Sequence, residues 1–270
     1  GSIVCADLTR RNFKVVGVDR NTPPLSSDCD FHQVSYDDDY QIQKILLNEK
    51  IELVIHIGAT SLVGPSVKAP DKYYQNNVVG TKVLLDACVS QGIKKFIFAS
   101  SAATYGMGEN GYEDNHEIVK KLSPLNPYGE SKNDIDNWVL NQTTTPPFWC
   151  GVKFFNVYGP NEFHKKDMRS IVLKIYENIQ ADKTINLFKS HNKNYKDGEQ
   201  LRDFIFVKDV VDVIYWFIKN RKVSGLFNLG SSIPQSFNTL ASLVYRYCNK
   251  KKNINYISTP LSIRNQYQYF

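Results

Sequence analysis
Tyr128 and Lys132 stand four residues apart in Tyr128-Gly129-Glu130-Ser131-Lys132. On a helix that spacing puts both side chains on one face, one turn apart. An ammonium beside a phenol favours the phenolate, so the expectation is a tyrosine pKa drawn down from ~10 toward neutrality. Ser101, in Ser100-Ser101-Ala102-Ala103-Thr104-Tyr105-Gly106, falls where a strand ends and can hold the oxygen of an alcohol or ketone. Tyrosine as acid or base, lysine as tuner and serine as clamp make a hydride-transfer site. The pair alone carries little, because most Tyr-x-x-x-Lys occurrences are solvated helix surface. The serine-rich segment at this distance, inside a dinucleotide-type pattern, gives it weight.

Such a site needs a parallel sheet whose strand ends present it. Residues 14–19 form a short apolar run closing on an acid, the pattern of a second Rossmann strand whose Asp19 meets an adenosine ribose. Residues 21–30 read as a Pro/Ser/Asp loop. Residues 40–48 have helical spacing, and 51–56 read as the next buried strand. That strand runs into Ile57, Gly58, Ala59, Thr60 and Ser61, where a glycine lets backbone approach a ligand. A helix over 73–90, ended by Gly92, precedes a strand at 95–100. A helix over 128–140 precedes a strand at 150–155. This alternation predicts an α/β fold with a doubly wound parallel Rossmann sheet.

Beyond Tyr158 the pattern turns irregular, with a basic segment at 163–169, a helix near 170–179 and a polar loop at 191–200. A late strand reads at 226–230. The expectation is a dinucleotide-binding domain over 1–157 and a smaller, mostly substrate-binding domain over 158–270, with a return to the sheet near 203–230. Position 1 is glycine and the methionines are Met107 and Met168. Gly1-Ser2-Ile3-Val4 reads as the end of a glycine-rich strand-to-helix turn followed by a helix over 5–11. The expectation is thus a sequence starting just inside the loop, without the first strand and most of the glycine-rich turn, and with Gly1 beside the cofactor.

The 270 residues suffice for a sizeable core, and 42% hydrophobic with 22% charged residues is ordinary for a soluble protein. No apolar run approaches the ~20 residues of a membrane span. Cys5, Cys29, Cys88, Cys150 and Cys248 are odd in number and far apart, which argues for a reduced, cytoplasmic protein without a metal site. The net charge of +6 is dispersed apart from Lys250-Lys251-Lys252, which does not suit a nucleic-acid partner.

These motifs resemble the extended short-chain dehydrogenase/reductases over nearly the whole chain. The C-terminal half is similar to the ADP-L-glycero-D-manno-heptose 6-epimerases. The narrower likeness rests on Phe155-Asn156-Val157-Tyr158-Gly159-Pro160-Asn161-Glu162-Phe163-His164-Lys165 and on Asn186-Leu187-Phe188-Lys189-Ser190. It continues in Asp197-Gly198-Glu199-Gln200-Leu201-Arg202-Asp203-Phe204 and Tyr267-Gln268-Tyr269-Phe270.

The resemblance implies a nucleotide-sugar substrate, a tightly bound nicotinamide cofactor and a homo-oligomer. It implies two proton carriers, Tyr128 and Lys165, one for each face of a C6 ketone. It places Asp19 and Arg20 at the adenosine end, with Ile57 to Ser61, Asn76, Val157 and Lys165 along the cofactor and Lys132 on the nicotinamide ribose. Ser101, Asn156, Phe188, Lys189, Ser190, Arg202 and Tyr267 match substrate positions. So do Asp167 and Lys174, where the family has a serine and a histidine. Arg202 suits a diphosphate as a bidentate donor, the alternative being an ion pair with Asp203.

Asp19 favours the free 2′-hydroxyl of NAD, whereas Arg20 suits a 2′-phosphate. The expectation is NADP, with NAD the alternative. Residues 63–78 resemble UDP-galactose 4-epimerases, so a UDP-hexose 4-epimerase is the competing reading. A 4,6-dehydratase wants an acidic pair after the serine, where Ala102-Ala103 stand. A non-catalytic cofactor sensor typically loses the tyrosine or lysine, and both are present.

Overall fold
The computed structural model describes residues 1–22, 29–220 and 223–264. The chain divides into two compact units. Unit 1 comprises Gly1–Phe154 and Asp209–Leu229. Unit 2 comprises Phe155–Lys208 and Gly230–Phe270.

Unit 1 is built on parallel strands. β1 (Val16–Asp19) pairs with β2 (Asp30–Gln33). β3 (Leu53–His56), β4 (Lys95–Ser101), β5 (Phe148–Phe154) and the late β10 (Gly225–Leu229) form a four-stranded sheet in the order β10-β5-β4-β3. Residues 95–98 of β4 face 53–56 of β3, and Ser101 faces Phe154 of β5. All four strands therefore end at one edge, the edge where open α/β sheets bind ligands. A parallel sheet covered on both faces favours continuous apolar strands, and Phe96, Ile97 and Phe98 are each at most 2% exposed.

The longer helices of unit 1 before residue 154 are α1 (Ser2–Arg10), α2 (Asp39–Asn48), α3 (Gly80–Ser90) and α4 (Pro127–Leu140). α2 buries Ile42, Ile45 and Leu46 at helical spacing, and the Asp38 side chain caps its start by accepting from Gln41 N. Leu84, Leu85 and Cys88 of α3 join Ile135 and Val139 of α4, Phe96, Phe98 and Leu226 in one core. α4 opens with Asn126 accepting from Gly129 N at 3.0 Å and Pro127 in the first turn, a strong start signal.

The expected helix over 73–90 is broken. A short helix Pro70–Tyr73 gives way to a π-helical turn, Tyr74–Val79, before α3 begins. Two other expected starts shift, the first helix beginning at Ser2 and the first strand at Val16.

Among the described residues unit 2 has three short strand pairs. β6 (Asn156–Tyr158) runs parallel to β9 (Phe204–Phe206), and β7 (Ile185–Phe188) parallel to β12 (Ile254–Ile257). β8 (Leu201–Arg202) runs antiparallel to β11 (Gln235–Ser236). α5 (Ile171–Gln180) and α7 (Phe237–Tyr247) pack Ile175, Ile179, Leu240, Ala241 and Tyr245 against Ile185 and Leu187. The units part at 154/155, not at 157. The return to unit 1 covers Asp209–Leu229, which holds most of α6 (Val207–Lys219) and β10. Among the described residues no helix is long and apolar enough to cross a membrane.

Candidate functional site
In unit 1 the carboxyl end of β4 meets the start of α4. The Lys132 ammonium, 5% exposed, donates to the Ala99 carbonyl at 2.8 Å. Two residues on, the buried Ser101 side chain hydrogen-bonds to Tyr128. Ser101 Oγ also accepts from Ala103 N at 3.1 Å, closing the single 3-10 turn Ala102–Tyr105 that follows the strand. Gly129 permits this close approach. A Cβ there would stand 2.7 Å from the Ala103 carbonyl oxygen, so any larger residue beside Tyr128 would push the helix from the turn that follows β4. Gly106 ends the same turn at φ 59°, where a Cβ would meet the Ser123 carbonyl oxygen at 1.9 Å.

The electrostatics differ from the sequence expectation. Burial holds the Tyr128 phenol above its ordinary pKa, and the Ser101 hydrogen bond offsets this in part. Lys132 is not among the groups that move it. Burial instead draws the lysine itself down to about 8, with Asp136 opposing. The four-residue spacing sets both residues on the end of β4, Tyr128 on Ser101 and Lys132 on Ala99, but burial raises the phenol and lowers the ammonium.

The π-turn explains what Asn76 and Asn77 do. Its extra residue carries Asn77 inward, where Oδ1 accepts from Thr60 N at 2.8 Å. Asn77 Nδ2 donates to the Thr60 carbonyl at 2.9 Å and to Ser131 Oγ at 3.0 Å. One amide thus ties the loop after β3 to α4, a use of wide turns common at functional sites. Asn76 lies beside it, with its carbonyl accepting from Tyr36 Oη at 2.7 Å. Sequence reasoning named Asn76 and missed Asn77; Asn-Asn at the head of a helical run is a weak signal of such a brace.

Ile57, Gly58, Ala59, Thr60 and Ser61 follow β3 without regular structure. Gly58 packs under Tyr36, whose ring carbon would lie 3.1 Å from an added Cβ. His56, 6% exposed, ends β3 with Nε2 3.0 Å from Thr81 Oγ1 and its ring against Tyr36. Burial first, and then the Lys132 charge, draw this histidine down to about 3, so it is neutral. Asp19 is exposed at the end of β1 and accepts from Asn21 N at 2.8 Å. Arg20 follows it, also exposed. Tyr36, pushed up to about 12 mainly by burial, lies within the electrostatic reach of Asp19 and Arg20. Gly1 caps α1, its carbonyl accepting from Cys5 N.

In unit 2, Lys165 is exposed on the 3-10 segment Phe163–Met168, with His164 and Asp167 exposed beside it. Glu162, buried at 5% exposure, anchors that segment at both ends. Its carboxylate accepts from Gly159 N at 3.1 Å, Ser170 N at 2.7 Å and Ser170 Oγ at 2.9 Å. Lys174 Nζ donates to the Asp167 carbonyl at 2.7 Å. Asn156 pairs twice with the Asp203 carbonyl, through N and Nδ2, and Val157 follows it in β6.

Phe188 ends β7, and its carbonyl accepts from Gln200 Nε2 at 3.1 Å. Lys189 N donates to the Ile257 carbonyl, and Ser190 N to Asp197 Oδ1 at 2.8 Å. Arg202 lies with its guanidinium 5.7 Å from the centre of the Phe237 ring. The Asp203 carboxylate is taken by Ser231 and Ser232, accepting from both backbone N–H groups and the Ser231 hydroxyl. Tyr267 lies outside the described residues.

Residues 1–230 match the model of the Epimerase family, the NAD dependent epimerase/dehydratase family. The chain is 43% identical over 230 residues to the ADP-L-glycero-D-manno-heptose-6-epimerase of Fusobacterium nucleatum subsp. nucleatum, covering 82% of this chain and 68% of that protein. Among solved structures it is similar to the Helicobacter pylori ADP-L-glycero-D-manno-heptose-6-epimerase. That likeness has a TM-score of 0.78 and 27% identity, over 100% of this chain and 87% of that one. It is also similar to MoeE5 in complex with UDP-glucose and NAD, with a TM-score of 0.80 and 25% identity, over 97% of this chain and 83% of that one.

Proposed function
Since the chain belongs to the NAD dependent epimerase/dehydratase family, we propose that it is a nucleotide-sugar epimerase inverting C6 of an ADP-heptose. The observation that carries this reading is the junction where Lys132 sits on Ala99 and Tyr128 on Ser101, one helix turn apart. The 43% identity to a heptose 6-epimerase supports the choice of sugar.

The residues present fit a nicotinamide dinucleotide by their chemistry. Asp19 offers an exposed carboxylate at the end of β1, Gly58 a backbone without a side chain after β3, and Lys132 an ammonium at the end of β4. Asp19 and Arg20 at the adenosine end, residues 57–61 and Asn76 along its length, and Lys132 on the second ribose would hold it. Gly1, Val157 and Lys165 complete the assignment. Such a cofactor, when bound, supplies hydride acceptance from the sugar carbon and hydride return to it. Between its two forms the reading here takes NAD, against the NADP expected from Arg20. The family is NAD dependent, MoeE5 holds NAD, and a carboxylate repels a 2′-phosphate.

Ser101 Oγ and Tyr128 Oη would hold the C6 oxygen, and Tyr128 would carry its proton. Lys132 keeps positive charge one turn below that phenol. Inversion presents the oxygen on opposite faces in the two half-reactions, so a second carrier is needed, and Lys165 of unit 2 is assigned that role. Glu162 supports this assignment, because its three hydrogen bonds hold the lysine's segment at both ends. Asn156, Asp167, Lys174, Phe188, Lys189, Ser190, Arg202 and Tyr267 are assigned to the substrate. Arg202 goes to the diphosphate, where a fork of N–H donors matches two oxygens.

The test is to supply ADP-D-glycero-D-manno-heptose and UDP-galactose separately, with NAD or NADP, and to follow epimer formation. Conversion of the heptose supports this reading. Conversion of the galactose alone overturns it and makes residues 63–78, the part resembling 4-epimerases, the better guide.

A further inference from the structure
Three consecutive residues at the end of β4 each hold one residue of α4. The Ala99 carbonyl takes Lys132 Nζ, Ser100 Oγ donates to Asp136 Oδ2 at 2.7 Å, and Ser101 bonds to Tyr128. Positions 128, 132 and 136 are successive turns of one helix face. Lys153 of β5, in register with Ser100, donates to the same Asp136 Oδ2 and, at 2.8 Å, to Thr104 Oγ1. Asp136 and Lys153 are 0% and 2% exposed. Asp136 Oδ1 has no hydrogen-bond partner among the described residues. Apolar residues of the same volume generally serve stability as well as a buried ion pair does. Stability alone therefore does not account for this pair one turn below Lys132.

We propose that Asp136 is a positioning residue for the hydride-transfer pair. Held by Ser100 and Lys153, its carboxylate keeps Lys132 charged and fixes the register of α4 on β4. This rests on the reading of Tyr128, Lys132 and Ser101 as the reacting site. The groups facing that site are His56 from β3, Tyr73 from the helix before the π-turn, Tyr128 and Asp136 from α4, and Lys153 from β5. Of these Asp136 alone is acidic, and it opposes the burial that strips Lys132 of its proton. Lys153 and Ser100 occupy one carboxylate oxygen and leave the other bare, so the negative charge is fixed in place without being fully absorbed by donors.

The experiment is an NMR titration of the protein carrying ¹³Cε-labelled lysine, with the Lys132 signal assigned through Lys132→Arg. Asp136→Asn is expected to lower the Lys132 midpoint by ~1 pH unit, tenfold in its ionisation constant, and Asp136→Glu to restore it. Where turnover is measured, the alkaline limb of kcat moves down with it while KM stays near the wild-type value. Asp136→Asn leaves Lys153 buried without its partner, so Asp136→Asn/Lys153→Met is the second variant. It removes the ammonium that Asp136→Asn leaves stranded at position 153, and it is expected to show the same downward midpoint at Lys132. A wild-type midpoint in the double variant overturns the proposal and leaves the pair a structural clamp. The lysine midpoint is read without any sugar, so it decides this proposal separately from the turnover test of the site itself.

Discussion
Replacing Tyr128 by phenylalanine keeps the ring that packs edge-on against Tyr73 and removes the oxygen proposed to carry the proton. Turnover should fall ~10²–10⁴-fold while cofactor binding, followed by nicotinamide fluorescence, is unchanged. Retained turnover would take Tyr128 out of the mechanism. Lys165→Met should slow epimerisation to a similar degree; a change confined to KM would make Lys165 a binder. At this scale the sequence was informative where spacing sets contact, as for Tyr128, Lys132 and Ser101. It was misleading where burial sets charge. The fall expected for the Tyr128 pKa became a rise because no spacing reveals how much water is excluded around a side chain. Asp136 and Lys153 went unread because their partnership joins a helix to a strand 17 residues away.

Elements place these atoms by close approach. Gly129→Ala sets a methyl 2.7 Å from the Ala103 carbonyl oxygen, in the 3-10 turn that follows β4. It should cost ~1–3 kcal/mol in denaturant unfolding and reduce kcat by moving Tyr128. An unfolding midpoint equal to wild type would show that the helix start has slack. The strands were legible because their apolar runs are bounded by polar turns, and β4 and β5 appear within a few residues of their expected limits. The π-turn was not legible. Tyr74 to Val79 carries residues that continue a helix acceptably, and what widens the turn is Asn77 reaching Thr60, a contact across 17 positions.

At the scale of the whole molecule, alternation of strand and helix announced the sheet, and a loss of periodicity after residue 158 announced a second unit. The parting at 154/155 and the return at 209 were harder to see, because β5 passes almost directly into β6. Stability should carry the mark of the buried His56. Its folded pKa of about 3 lies below the ordinary 6.5, so the unfolded chain binds the proton first as pH falls. Stability from this group is intact above 6.5 and declines toward pH 3 at about 1.4 kcal/mol per pH unit. Lys132, drawn down to about 8 from 10.5, acts at the other end, where stability rises with pH between those values. Denaturation midpoints against pH for wild type and His56→Gln would check this, the variant being expected to show the shallower acid-side decline.

Glu162 closes a ring of backbone by gripping Gly159 at one end and Ser170 at the other. The chain between those two points is held at its ends by Glu162 and by Arg169, which binds the Lys166 carbonyl and Glu177, and its middle faces solvent. The exposed side chains from Phe163 to Met168 can therefore be exchanged without disturbing the hydrogen bonds of Glu162. The departure at Asp167 lies inside this interchangeable part.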